Sequence, residues 1–236
     1  MAEPWLQHGY NALLIDPKHG KIFSQEIRPE GGKVWRVGAV LASREAAYYL
    51  RIAISYGVQL VAGFPPCTDV AISGARWFEE KRAKDPHFQA KAALVAEQCR
   101  MIGMLSGAPW FFENPGSVFS SIFGPASYIF NPCDFGGYLP EDDVHPLYPD
   151  IFPARDGYTK KTFLWTGGGF CLPERRPVPG APFQTAIRLG GKSERTKQIR
   201  STTPRGFARA VFEHYNEASN DEQYGNGEFT RALQCG

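Results

Sequence analysis

Residues 60–69 read "LVAGFPPCTD". An apolar run ends at a glycine and Phe64, two prolines stiffen the next turn, and Cys67 comes after them with a polar pair behind it. The stretch "VQLVAGF" (58–64) is short and almost wholly apolar, the pattern of a strand buried on both faces of a parallel sheet. The thiol then sits just past a strand end. Open α/β sheets bind their ligands there. The fold depends on whether neighbouring strands end in the same way.

Two of them do. "NALLID" (11–16) ends in Asp16, and "PWFFEN" (109–114) ends in Glu113 and Asn114. Helical patterns separate the strands. In "SREAAYYLRIAISYG" (43–57), Ser43 is placed to cap, Ala46, Leu50 and Ile54 share a face, and Gly57 is a stop. In "DPHFQAKAALVAEQCRMIGMLSG" (85–107), Asp85 suits the cap and Pro86 the first turn. Phe88, Ala92, Val95, Cys99 and Ile102 form the stripe, and Gly107 ends it. Alternating strands and helices predict an α/β fold, a mostly parallel sheet flanked by helices. Asp16, Pro66–Cys67 and Glu113–Asn114 are then expected on one rim.

The second half is rich in Pro, Gly and aromatics from 115 to 182. "KKTFLWTGGGF" (160–170) reads as a strand and turn at a sheet edge. "TTPRGFARAVFEHYNEA" (202–218) reads as a helix capped by Thr203, with Pro204 in its first turn and Phe207, Val211 and Tyr215 inward. The expected organisation is one domain over 1–216, with 116–200 as its loop-rich recognition part and 217–236 a polar, flexible tail.

Of 236 residues, 43% are hydrophobic, enough for a sizeable core, and the formal charge of +2 is nearly balanced. Any nucleic-acid surface must therefore be local. No apolar run approaches 20 residues, which argues against a membrane span and for an intracellular, cytoplasmic protein. Five scattered cysteines without a CxxC pair argue against a disulfide framework and a cysteine-rich zinc site. His145 lies beside Glu141, Asp142 and Asp143, a grouping that reads as a solvated acidic loop rather than a metal site.

Each candidate carries a second reading. A lone cysteine is commonly a small buried hydrophobe. Cys67 instead stands at a strand end before a helix start, a position that favours thiolate. Glu113 either caps the next turn or, desolvated by aromatics, holds a proton near neutral pH. Asp16 is either a turn aspartate before Pro17 or an acceptor for ribose hydroxyls. Lys192, Arg195, Lys197, Arg200 and Arg205 read as a phosphate track or as a solvated loop and helix start. Trp77, Trp110 and Trp165 suit base stacking, although core packing fits the last two better.

"GFPPCTDVA" and "ENP" (113–115), separated by about a helix and a strand, resemble the cytosine-C5 DNA methyltransferases. "GFPPCTDVAISGARWF", "GGYLPEDDVHP", "YTKKTFLWTGGGF" and "RSTTPRGFARAVF" resemble small phage-type members, and the likeness runs from about residue 9 to 214. It implies a Rossmann-like methyltransferase fold in a protein that acts inside an infected bacterial host. Cys67 would be the nucleophile and Glu113 the acid. Asp16, Pro66 and Asn114 would line the S-adenosylmethionine site. Lys160, Lys161 and Thr162 would stand where the family carries a Gln-x-Arg-x-Arg strand, with Thr162 in place of the second Arg. With Arg195, Lys197 and Arg200 they would contact DNA around a flipped-out cytosine.

The family opens with a strand and a Gly-rich turn for the cofactor. "MAEPWLQHGYNALLID" reads as the helix and strand that come after that turn. The resemblance thus implies weak S-adenosylmethionine binding by this chain and self-association through an exposed strand edge. Two further readings use the same residues. One is an enzyme modifying C5 of a free pyrimidine nucleotide, with S-adenosylmethionine or a folate as donor. The other is a nucleic-acid-binding relative without catalysis.

Overall fold

The computed structural model describes residues 1–182 and 193–222. They fall into two compact units. One comprises Ala2–Tyr128 with Phe163–Cys171, the other Ile129–Thr162 with the described residues from Leu172 onward. The chain is α/β, but its sheets are small and mixed.

In the first unit, α1 (Glu3–Leu6) leads to β1 (Ala12–Ile15), β2 (Ser24–Ile27) and β3 (Lys33–Val37). These three form their own sheet in the order β1-β3-β2, with β1 parallel and β2 antiparallel to β3. α2 (Arg44–Ser55) comes next, and the Ser43 hydroxyl accepts from Ala46 N at 3.1 Å as a cap should. Gly57, at φ 85°, lets the chain turn out of the helix. β4 (Val61–Gly63) is only three residues long. α3 (Phe78–Lys84) and α4 (Phe88–Ser106) are the next helices. α4 buries Phe88, Ala92, Ala96, Cys99 and Gly103, close to the stripe expected from spacing, and ends at Gly107. Its N-cap is His87, without a side-chain cap bond. Asp85 instead accepts from His87 N and pairs with Lys91.

β5 (Trp110–Asn114) runs parallel to β4 and antiparallel to β8 (Thr162–Gly167). A single turn of helix, α5 (Phe119–Ile122), lies beyond β5. The four-stranded sheet has the order β4-β5-β8-β6, where β6 (Tyr128–Phe130) is the strand in which the chain leaves this unit. Two expectations are corrected here. The predicted single parallel sheet is two separate sheets, and β1 and β4 are each an edge strand of a different one. The strand read as a sheet edge, β8, is interior. Its buried residues do not alternate, since the adjacent Leu164 and Trp165 are both inside, as packing on both faces requires.

The unit's core gathers Val70, Ala96, Cys99, Phe112, Phe119 and Trp165. The Phe112 and Trp165 rings stack with centroids 5.2 Å apart. Strand β4 comes so close to α4 that a Cβ on Gly63 would lie 2.7 Å from the Cys99 Cβ and 3.2 Å from that of Phe112. We expect Gly63→Ala to cost about 1–3 kcal/mol through overpacking. The denaturant midpoint measures this, and an unchanged midpoint would contradict the tight approach.

The second unit contains the 3-10 helix Pro132–Tyr138, the parallel pair β7 (Tyr158–Thr159) and β9 (Ala181–Pro182), then α6 (Glu194–Arg200) and α7 (Arg205–Glu222). Phe207, Val211 and Tyr215 are buried on α7, as the helical pattern predicts. Phe207 stacks on Phe130 at 4.4 Å. The α7 start is not held by Thr203 as expected. Asp156 accepts from Gly206 N at 2.8 Å in its place. Arg205 pairs with Asp143 at 2.7 Å.

Burial pushes the Asp156 carboxyl up to about 6, against the Gly206 amide and Arg205, which favour the charge. A carboxyl raised above its unfolded value makes the folded state less stable at neutral pH. That loss is relieved as pH falls from about 6 toward 4. Asp156→Asn keeps an acceptor for Gly206 N and removes the charge. We expect it to be more stable than wild type at pH 7.5, by up to about 2–3 kcal/mol. The gap should close at pH 5. His145 acts in the opposite sense, since burial and Arg205 lower its pKa, but it is present in both proteins. Denaturant midpoints of the two proteins at pH 5 and 7.5 check this.

Candidate functional site

The β4–β5 register sets Gly63 beside Phe112. One step further along both parallel strands comes Glu113, and then Asn114. The chain past β4 is held to the chain past β5 by a set of bonds. Asn114 Nδ2 donates to Pro65 O at 3.0 Å. Ile72 N donates to Gly116 O at 2.9 Å and Val118 N to Val70 O at 3.0 Å, around an Ala71–Ser117 bridge. The loop that carries Pro66 and Cys67 and the loop beyond Glu113 are thus sewn together on both sides of the thiol.

Cys67 is exposed and reduced. It does not stand at the start of a long helix. Its carbonyl closes a turn, accepting from Val70 N and Ala71 N, and a 3-10 helix over Ile72–Trp77 intervenes before α3. The support for thiolate expected from a helix N-terminus is therefore limited to one turn. Cys99 and Cys133 are buried, and burial raises both thiols, Cys99 to about 11. Cys171 is disulfide-bonded, which scattered cysteines without a framework did not foretell. Of the three reduced cysteines among the described residues, Cys67 is the exposed one.

Glu113 is half-buried on β5 and shares the Phe111 face of that strand. The Phe111 ring meets Phe64 edge-on at 6.1 Å and Phe170 at 5.2 Å, an aromatic surface on the acid's side of the sheet. Phe64, Ile72 and Trp77 are exposed, so the thiol loop is flanked by large apolar side chains. Asn114 is buried, and its Oδ1 has no hydrogen-bond partner among the described residues. A buried amide oxygen in that state calls for a donor.

The structure joins Cys67, Pro66, Glu113 and Asn114 and does not join Asp16 to them. Asp16 comes after β1, in the other sheet, where its carboxylate is exposed and one oxygen accepts from Lys18 N at 2.9 Å. That is the turn role, with the second oxygen left for other partners.

The expected nucleic-acid residues belong to the second unit. Arg195, Lys197 and Arg200 are exposed on α6, with Lys197 paired to Glu194. Lys160 Nζ donates to Arg200 O at 2.7 Å, which draws the two segments together, and Lys161 is exposed. Thr162 is corrected. It is 2% exposed and its hydroxyl donates to Lys160 O at 3.0 Å, so it presents nothing to a ligand. Lys192 lies outside the described residues. Arg205 is engaged by Asp143 rather than directed to a phosphate.

His145 is also corrected. It is buried rather than solvated, and Nδ1 accepts from Leu147 N and Tyr148 N. No group of three or more His, Cys, Asp and Glu suited to a metal exists among the described residues. None of the described helices is long and apolar enough to cross a membrane.

Sequence reasoning missed Lys81. From α3 it donates to Thr68 O at 2.7 Å and pairs with Asp69 at 2.8 Å, one and two residues past the thiol. No family model, curated protein or solved structure matches the chain.

Proposed function

We propose that this protein is a DNA cytosine-C5 methyltransferase-like enzyme of Rossmann-like descent, with Cys67 as nucleophile and Glu113 as acid. The supporting observation is the pairing of the two loops. An exposed, reduced cysteine lies just past one strand and a half-buried carboxyl near the end of the adjacent parallel strand, and the Asn114–Pro65 bond and Ala71–Ser117 bridge fix the two loops in register.

In this reading the chemistry starts at Cys67. Its thiolate adds to C6 of the cytosine, and Glu113 gives a proton to N3, which stabilises the adduct as an enamine. C5 is then nucleophilic enough to take a methyl group. Water takes the C5 proton, the thiolate leaves C6, and N3 returns its proton to Glu113, which restores the aromatic ring and the enzyme. A base stacked in a duplex is out of reach of Cys67, so the reading requires it to be flipped out, and the exposure of Trp77 is compatible with stacking on an unstacked base.

S-adenosylmethionine, whose sulfonium supplies the methyl group, is the cofactor this reading implies. One group beside Cys67 suits it, Asn114 Oδ1, a buried acceptor in need of a donor. Lys160, Lys161, Arg195, Lys197 and Arg200 provide the local positive charge for a phosphate backbone.

Transfer of a labelled methyl group to DNA tests the reading, beside a gel shift at two salt concentrations. Labelled 5-methylcytosine in the DNA supports it. Labelling of a free pyrimidine nucleotide without DNA binding would replace the substrate. DNA binding without any methyl transfer would leave a binding protein.

A further inference from the structure

We propose that Lys81 is a positioning residue for the Cys67 thiol, tying down its loop and neutralising the carboxylate two residues beyond it. The proposal rests on the reading of Cys67 as nucleophile. It starts from the contrast among the cations of α3. Arg82 and Lys84 are exposed, and Lys84 pairs along the helix with Glu80. Lys81 alone of the three is half-buried, and it makes two contacts to the thiol loop: Thr68 O at 2.7 Å and Asp69 Oδ1 at 2.8 Å.

Those contacts do two physically separate things. The bond to Thr68 O fixes the backbone one residue past Cys67. The bonds from Val70 N and Ala71 N to Cys67 O lie within the loop itself. Lys81 links α3 to the turn from outside. The ion pair acts on charge. Asp69 stands two residues from the thiol, and an unpaired carboxylate there opposes formation of a thiolate. An exposed ion pair adds little to stability. Its weight here lies in the local potential at the sulfur.

Among the described residues, Glu113 on β5 and Arg76 on the 3-10 helix are further charged groups on segments joined to this loop. The Arg76 guanidinium lies 5.1 Å from the Trp77 ring centroid. Removing the Lys81 ammonium leaves the Asp69 carboxylate without its cation, two residues from the sulfur.

The test needs neither DNA nor cofactor, so it can fail independently of the methyltransferase reading. Iodoacetamide alkylates a thiolate, forming an S–C bond as iodide leaves, and its rate against pH reports thiolate formation. Peptide mapping reads Cys67 apart from the buried Cys99 and Cys133. In the full chain, Lys81→Gln should move the midpoint of the Cys67 profile upward by roughly half to one pH unit. The rate at pH 7 then falls about three- to tenfold. Lys81→Arg should stay near wild type. Asp69→Asn combined with Lys81→Gln should bring the midpoint most of the way back, because the opposing charge has gone too. A Lys81→Gln protein with a lowered melting temperature and an unmoved profile would overturn the proposal and leave Lys81 a structural tie. A double variant no closer to wild type than Lys81→Gln would also overturn it.

Discussion

Cys67→Ser is expected to lower the rate of methyl transfer about 10,000-fold or more, while the protein unfolds at nearly the same temperature. A serine hydroxyl is far less acidic than a thiol, and nucleophile removals in other enzymes cost losses of this order or larger. The fold should be indifferent. The side chain is exposed, and the turn is held through the Cys67 carbonyl, which serine supplies equally. Surface changes of this kind stay within about 0.5 kcal/mol. Steady-state transfer rates and a thermal melt on the two proteins decide it. Turnover by Cys67→Ser within tenfold of wild type would remove covalent catalysis from the account.

Glu113→Gln is the second large effect. Glutamine keeps the length of the side chain and the β5 backbone pairing with Leu164, but it has no proton to give to a ring nitrogen. General acid catalysis contributes roughly 100- to 10,000-fold, and we expect a loss in that range. DNA affinity should change little, because the acid acts on the base after it enters the site. If the variant transfers methyl groups at the wild-type rate, Glu113 is a residue of the strand end and nothing more.

The two variants rest on parts of the molecule that are readable in the sequence to different degrees. Helices announce themselves locally. Ser43 and Gly57 bound α2 because a hydroxyl and a positive φ act within one turn. Strand β5 is equally plain, since Trp110 to Phe112 are apolar and buried. Which strands pair is not readable. β1 and β4 look alike as short apolar runs leading to a candidate residue, yet each edges a different sheet. Pairing is a long-range choice that no local pattern records. β2 and β3 escape notice for a related reason, since "SQEI" is mostly polar with its one isoleucine exposed, and "KVWRV" mixes charges into its apolar run.

The site divides along the same line. Cys67 and Glu113 are legible because their strand ends define them. The bonds that align them are not. The Asn114–Pro65 bond spans 49 residues, and the Ala71–Ser117 bridge joins two loops with no shared signature. Lys81 lies in a run of mixed charges, "EEKRAK", where nothing sets it apart from Arg82 and Lys84 until α3 is in place. His145 reads as a residue of a solvated acidic loop, and tertiary burial reverses that.

The central claim is that Cys67 forms a covalent bond to C6 of a cytosine in DNA. Replacing that cytosine by 5-fluorocytosine tests it most directly, because the fluorine cannot leave as the C5 proton does and the adduct is trapped. Wild-type protein incubated with such DNA and S-adenosylmethionine should yield a denaturation-resistant complex, mapped by mass spectrometry to the peptide containing Cys67 and missing in Cys67→Ser. DNA bound to wild-type protein with no covalent complex under the same conditions would contradict the account.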